Sequence, residues 1–167
     1  MTKGQAFDGV ASWEELEASP GYPPGGKVPG RRVAVIECVQ EIPCNPCETA
    51  CKQGAITVGT PITSLPSLDV DKCTGCGLCV AKCPGLAIFV VDLTGEDGKG
   101  AVVEFPYEYQ PLPEVGEGVF VVNRQGEVIG EGIVKKSVRP KAYDKTGVVG
   151  VEVSPSLAAE ARSIKRR

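Results

Sequence analysis

The chain has 167 residues, enough for one domain or for a small domain with an added module. Apolar residues make up 42% and charged residues 23%, which fits a soluble globular protein, while aromatics at 5% leave little bulk for a thick core. A net charge of −3 argues against general nucleic-acid binding, and the lack of any histidine removes the commonest general acid–base group. The opening MTKGQAFDGVASWEEL lacks the apolar stretch of a secretory signal, and no run approaches the ~20 apolar residues that span a bilayer. A cytoplasmic location with no membrane span is expected, and there clustered cysteines bind metal more often than they form disulfides. Where a core is thin, cross-links through eight cysteines could supply the missing stability.

Residues 1–32 read as an extended N-terminal arm. Ser12 and Glu15 have the spacing of a capping box, which predicts a short helix near 13–18. The stretch from Pro20 to Gly26 holds three prolines and three glycines and can sustain neither a helix nor a central strand. Such an arm is either a disordered leader or a strap laid across a partner, with Trp13 and Tyr22 as anchors.

Residues 33–93 contain every cysteine. Apolar β-branched runs flank them, Val33 to Ile36 before and Ala87 to Val91 after, with shorter strand candidates at 56–58 and 68–70. The order is strand, cysteine loop, short helix, strand, and then the same again. Cys44, Cys47 and Cys51 recur 32 residues later as Cys76, Cys79 and Cys83, and Ala55-Ile56 recurs at that offset as Ala87-Ile88. Cys38 alone is out of step: its counterpart Cys73 lies 35 residues on, so the first half carries three extra residues.

Residues 94–153 read as a small antiparallel β module. A polar turn at 95–100 is followed by β-branched runs at 101–105, 119–123, 128–134 and 148–153, with a hairpin loop at 124–127. Residues 154–167 read as a basic C-terminal helix and tail, with Ser154 as N-cap, Pro155 at the first helical position, and Lys165, Arg166 and Arg167 at the favourable end.

The second cysteine run, Cys73, Cys76, Cys79 and Cys83 followed by Pro84, has the spacing C-x2-C-x2-C-x3-C-P, the bacterial iron–sulfur run whose fourth cysteine serves the other cluster of a pair. Three cysteines two residues apart wrap a tight loop around one face of a cubane, each thiolate taking a different iron. Gly75 and Gly77 ease that wrapping because they can adopt a positive φ. The first run, Cys38, Cys44, Cys47 and Cys51, has the spacing C-x5-C-x2-C-x3-C and Lys52 in place of the proline.

On these residues, 33–93 resembles the bacterial-type two-cluster ferredoxins. The resemblance implies an α+β fold, a pseudo-twofold ferredoxin-like dicluster domain followed by the small antiparallel β module, and two [4Fe-4S] clusters. Carried over by position, Cys73, Cys76, Cys79 and Cys51 would hold one cluster, and Cys44, Cys47, Cys83 and Cys38 the other, the insertion after Cys38 altering that ligand's approach. The expected function is electron transfer, without catalysis of its own, between redox protein partners. The first run, with Ile42-Pro43-Cys44-Asn45-Pro46-Cys47, also looks like the small iron–sulfur subunits of multi-subunit flavin-dependent amino-acid or amine dehydrogenases, which would make a flavoprotein the partner. A free diffusible ferredoxin is the alternative; a zinc-binding interaction module is a more distant one, since zinc sites use C-x2-4-C hooks with four ligands per ion.

No phosphate loop is present, and Gly116-Glu117-Gly118 lacks the third glycine of a dinucleotide fingerprint. Residues 33–93 carry a net charge of −3, from Glu37, Glu41, Glu48, Asp69, Asp71 and Asp92 against Lys52, Lys72 and Lys82. That is either an ordinary solvated surface or a docking face for a basic partner. The tail, from Arg162, Lys165, Arg166 and Arg167 against Glu160, is net +3 and reads as a frayed helix end or a subunit contact.

Overall fold

The computed structural model of the chain describes residues 4–95 and 100–165. In chain order the helices and strands are α1 (Gln5–Asp8), α2 (Trp13–Ala18), β1 (Val33–Ile36), α3 (Pro46–Ala50), β2 (Ile56–Thr57), β3 (Ser67–Leu68), α4 (Leu78–Lys82), β4 (Ile88–Asp92), β5 (Ala101–Tyr107), β6 (Gly118–Val122), β7 (Val128–Val138), β8 (Gly147–Val153) and β9 (Ser163–Ile164). The architecture is mostly antiparallel sheet with short helices. Seven strands form one sheet in the order β1-β4-β5-β8-β7-β6-β9, and β2 pairs with β3 in a second small sheet.

Within 33–93 the two halves meet head to tail. β1 pairs antiparallel with β4 from Val33↔Val91 to Ile36↔Ile88, and β2 pairs with β3 through Ile56↔Leu68. The outer strands of the cysteine segment therefore close on each other, as do the inner ones, and both cysteine loops lie between them. β1 and β4 are apolar without alternation because both faces are covered. Ile88 and Val90 point into a core built with Cys47, Cys73, Cys79 and Val80, while Phe89 and Val91 point into a second core with Phe105, Val121 and Val151.

The expected boundary at 93/94 falls inside one continuous sheet. β5 pairs with β4 through Val90↔Glu104 and Asp92↔Val102, and β8 then extends the sheet from β5. Sheet edges are hydrogen-bonding liabilities, and adding β5 to β4 removes one of them. The hairpin expected at 124–127 connects β6 to β7, where Asn123 N donates to Glu127 O at 3.0 Å. Four residues of the expected polar turn, 96–99, lie outside the described residues.

Residues 4–32, expected as an extended arm, pack on their own chain. Ser12 and Glu15 form the expected capping box, and Leu16 of α2 is fully buried in the second core beside Tyr22. The chain after α2 bridges the two sheets, Gly21 O accepting from Ile36 N at 3.2 Å and Pro20 O from Leu68 N at 3.0 Å. Glycine is required there, since a Cβ at Gly21 would lie 2.7 Å from Pro66 O. Tyr22 is buried and meets the exposed Trp13 edge to face at 6.0 Å.

The expected C-terminal helix does not form. Pro155–Leu157 makes one 3-10 turn, and Ser163–Ile164 then pairs with β6 as β9. The cause is tertiary: the Arg162 guanidinium donates to the carbonyls of Ala158, Ala159 and Ala161, which a helix would have used for its own ladder. Arg162 N and Lys165 N bond instead to Val122 O and Phe120 O. Arg162 is buried, so it belongs to neither a frayed end nor an exposed basic tail; Arg166 and Arg167 lie outside the described residues.

Candidate metal centre

The cysteines sit where strands end and short helices begin. Cys47 lies in the first turn of α3, entered through Pro46, and Cys79 in the first turn of α4, whose cap Gly77 has φ 80°. Cys51 and Cys83 close the two helices. Helices of five residues cannot be held by their own ladder, so packing and the cysteine loops must hold them.

None of the eight cysteines is in a disulfide, and the structure sorts them into two sets of four. Cys51, Cys73, Cys76 and Cys79 line one small cavity together with Ala34, Ile56, Gly75 and Gly77. Cys38, Cys44, Cys47 and Cys83 line another with Ile36, Ile42, Pro66 and Ile88. Each set takes three cysteines from one run and one from the other, Cys51 crossing in one direction and Cys83 in the other. Among the described residues, no three or more His, Cys, Asp or Glu side chains converge closely enough to hold a single metal ion.

Main-chain amides point at the sulfurs. Ala34 N and Gly75 N donate to Cys73 Sγ at 3.3 and 3.4 Å. Ala55 N donates to Cys51 Sγ at 3.2 Å, and Ala87 N to Cys83 Sγ at 3.4 Å. These last two contacts have the same four-residue offset, so the sequence repeat is also a repeat of hydrogen bonding. Burial pushes the Cys79 thiol up to about 12 and the Cys47 thiol to about 11, with neighbouring sulfurs adding to both. Such thiols hold their protons at neutral pH, and binding a cation as thiolates displaces them.

Two ionic networks flank the cavities, and sequence reading found neither. Beside the 73–79 loop, Arg32 Nε donates to Gly75 O at 2.7 Å and the same guanidinium pairs with Glu104, which is buried and also bonds Lys136 Nζ at 2.8 Å. Beside Cys38, the Glu37 carboxylate binds Arg124 and Arg162. Burial alone would raise the Glu37 carboxyl, but the two guanidiniums more than offset it and hold it below the ordinary carboxylate range. Glu37 therefore belongs to the interior, and not to the acidic surface expected of it. The partners lie 32 to 125 residues apart in sequence, and no local spacing could have revealed them.

Residues 66–89 match the family described as 4Fe-4S binding domain. Over 127 residues the chain is 29% identical to Protein Pixie of Drosophila melanogaster, a match covering 67% of this chain and 20% of that protein. Over 59 residues it is 44% identical to a subunit of the ion-translocating oxidoreductase complex of Methanosarcina acetivorans, covering 35% of this chain and 21% of that one. The chain thus spans about a fifth of the length of either relative. No solved structure matches. The likeness to a 4Fe-4S binding domain thus falls on the second cysteine run, Cys73 to Cys83. Among the described residues no helix is long and apolar enough to cross a membrane.

Proposed function

We propose that the chain holds two [4Fe-4S] clusters and passes single electrons between redox partners as a non-catalytic component of a larger oxidoreductase. The observation that carries this reading is the sorting of eight cysteines into two four-sulfur cavities with crossed fourth members. Cys51, Cys73, Cys76 and Cys79 would hold one cluster, and Cys38, Cys44, Cys47 and Cys83 the other.

The donor set fits the group. Four soft thiols meet at each cavity, apolar walls such as Ile56 and Ile88 exclude water, and main-chain amides already face three of the sulfurs. A zinc ion needs four sulfurs converging at ~2.3 Å from one point, whereas a cubane spreads its ligands over four irons, and the pairing of three cysteines from one run with one from the other suits the second arrangement. When bound, each cluster supplies a one-electron redox centre. The amides facing Cys51, Cys73 and Cys83 favour extra negative charge near the sulfur and so raise the reduction potential, while the dry walls oppose them. Cys76 is the exposed member of its set and would bring that site to the surface, within reach of a partner.

Support for a fixed component comes from the amount of chain devoted to neither cavity, namely the arm and strands β5 to β9, and from likeness to a subunit of an oxidoreductase complex. A flavoprotein dehydrogenase is the partner we propose. Size-exclusion chromatography of untagged protein from its native source, followed at flavin and iron–sulfur wavelengths, tests it. Co-elution with a larger flavin-containing assembly is expected; a lone monomer that still reduces and reoxidises would mean a free ferredoxin.

A further inference from the structure

Cys38 is the one cysteine that the repeat does not place. Its counterpart Cys73 is set by a two-residue step to Cys76 and by two amides on its sulfur, whereas Cys38 is followed by five residues before Cys44, and among the described residues the one hydrogen bond from its sulfur is a long one to Gln40 O at 4.0 Å. Some other feature must fix its approach.

We propose that Glu37 is the positioning residue for Cys38, and that the hairpin turn and the C-terminal segment act through it to hold the fourth ligand of that cluster. Arg124 donates to Glu37 through both arms of its fork, Nη2 to Oε1 at 2.6 Å and Nε to Oε2 at 2.9 Å, and Arg162 Nε donates to Oε1 at 2.7 Å. All three side chains are buried, with 7%, 9% and 4% exposure for Glu37, Arg124 and Arg162. The cations are themselves fixed. Arg124 bonds Glu160 at 2.9 Å and Ala159 O at 2.9 Å and lies 4.7 Å from the Trp13 ring centroid; Arg162 bonds three carbonyls and lies 4.8 Å from that of Phe89. Glu37 thus meets two guanidiniums whose planes are already set, and a charged bidentate pair in a dry setting tolerates little displacement. The main chain is pinned on both sides of the junction, Glu37 N to Ala87 O at 2.8 Å and Ser19 Oγ to Cys38 O at 3.3 Å. The side chain at 37 and the sulfur at 38 are carried by adjacent Cα atoms, so a fixed carboxylate fixes the direction from which the thiol enters. On this account β6, β7 and the chain end supply an anchor that the inserted residues took away from the loop.

The inference rests on the two-cluster reading, and its test separates the two. Wild type, Glu37→Gln, Arg162→Lys, Cys38→Ala and the core variant Phe105→Leu are purified anaerobically and given one equivalent of ferricyanide. At a loosely held corner one ferrous iron leaves, one electron passes to ferricyanide, and the residual [3Fe-4S] centre is paramagnetic and visible by electron paramagnetic resonance. Wild type and Phe105→Leu are expected to show little of this signal. Glu37→Gln should show it at least tenfold more strongly, with the line shape seen in Cys38→Ala, and Arg162→Lys in the same direction to a smaller extent. Equal signals in Glu37→Gln, Arg162→Lys and wild type would overturn the positioning role, as would an equal rise in Phe105→Leu, which reports general loosening. Failure of wild type to load two clusters would instead remove the reading beneath it.

Discussion

Replacing Cys83 with alanine should halve the iron content by removing the cluster near Cys44, although Cys83 stands in the other cysteine run. The paired variants make this decisive. Cys44→Ala with Cys83→Ala strikes the same cavity twice, so the double variant should keep about half of the wild-type iron, like either single variant. Cys51→Ala with Cys83→Ala strikes both cavities and should lose nearly all of it. If each run instead served its own cluster, both double variants would be empty, so the Cys44→Ala, Cys83→Ala pair decides. Iron and acid-labile sulfide analysis on anaerobically reconstituted protein reads the difference in that variant, about half of the wild-type iron against almost none.

The second large effect is expected at Gly75. Its φ is +64°, where an L side chain costs roughly 1–2 kcal/mol, and a Cβ there would lie 2.5 Å from Arg32 Cγ and 3.0 Å from the Arg32 carbonyl. The side-chain clash could be relieved by moving Arg32, but the backbone contact cannot. Gly75→Ala must therefore shift the loop that carries Cys73 and Cys76, break the bond from Arg32 to Gly75 O, and withdraw the Gly75 amide from Cys73 Sγ. Gly77 makes the comparison: its φ is also positive, but a Cβ there meets only the Glu104 carboxylate, at 3.4 Å. Gly77→Ala should cost about the φ strain alone, and Gly75→Ala about 1–3 kcal/mol beyond it. Bleaching of the visible absorbance in excess iron chelator should be at least tenfold faster for Gly75→Ala than for Gly77→Ala. Equal rates would show that the loop can open away from Arg32 without disturbing its cysteines.

What the sequence made legible was local. The cysteine runs and their 32-residue repeat are set within a few residues of chain, so spacing was enough to read them. Strands β1 and β4 were legible because chains covered on both faces are apolar throughout. The capping box at Ser12 was legible for the same local reason. The C-terminal segment shows the limit. Ser154, Pro155 and the alanines favour a helix, and the pull that wins comes from a guanidinium at Arg162 whose own partners are Glu37 and Phe89, far away in sequence. Charge counting failed for the same reason. Glu37 looks like one more surface acid, yet it is the centre of a buried cluster of ion pairs, and Glu104 between Arg32 and Lys136 repeats the case beside the other cavity. Polar groups of this kind are dictated by which strands come together, and that order, β1-β4-β5-β8-β7-β6-β9, is not written in any single segment.

The most direct measurement is the iron and spin count of the wild-type chain. Anaerobically reconstituted protein should bind about eight irons and eight sulfides per chain, and full reduction should give a broadened spectrum from two neighbouring paramagnetic centres in magnetic contact. Four irons or fewer, with one sharp uncoupled signal, would leave half of the thiols without a role and contradict the pairing of the two cavities.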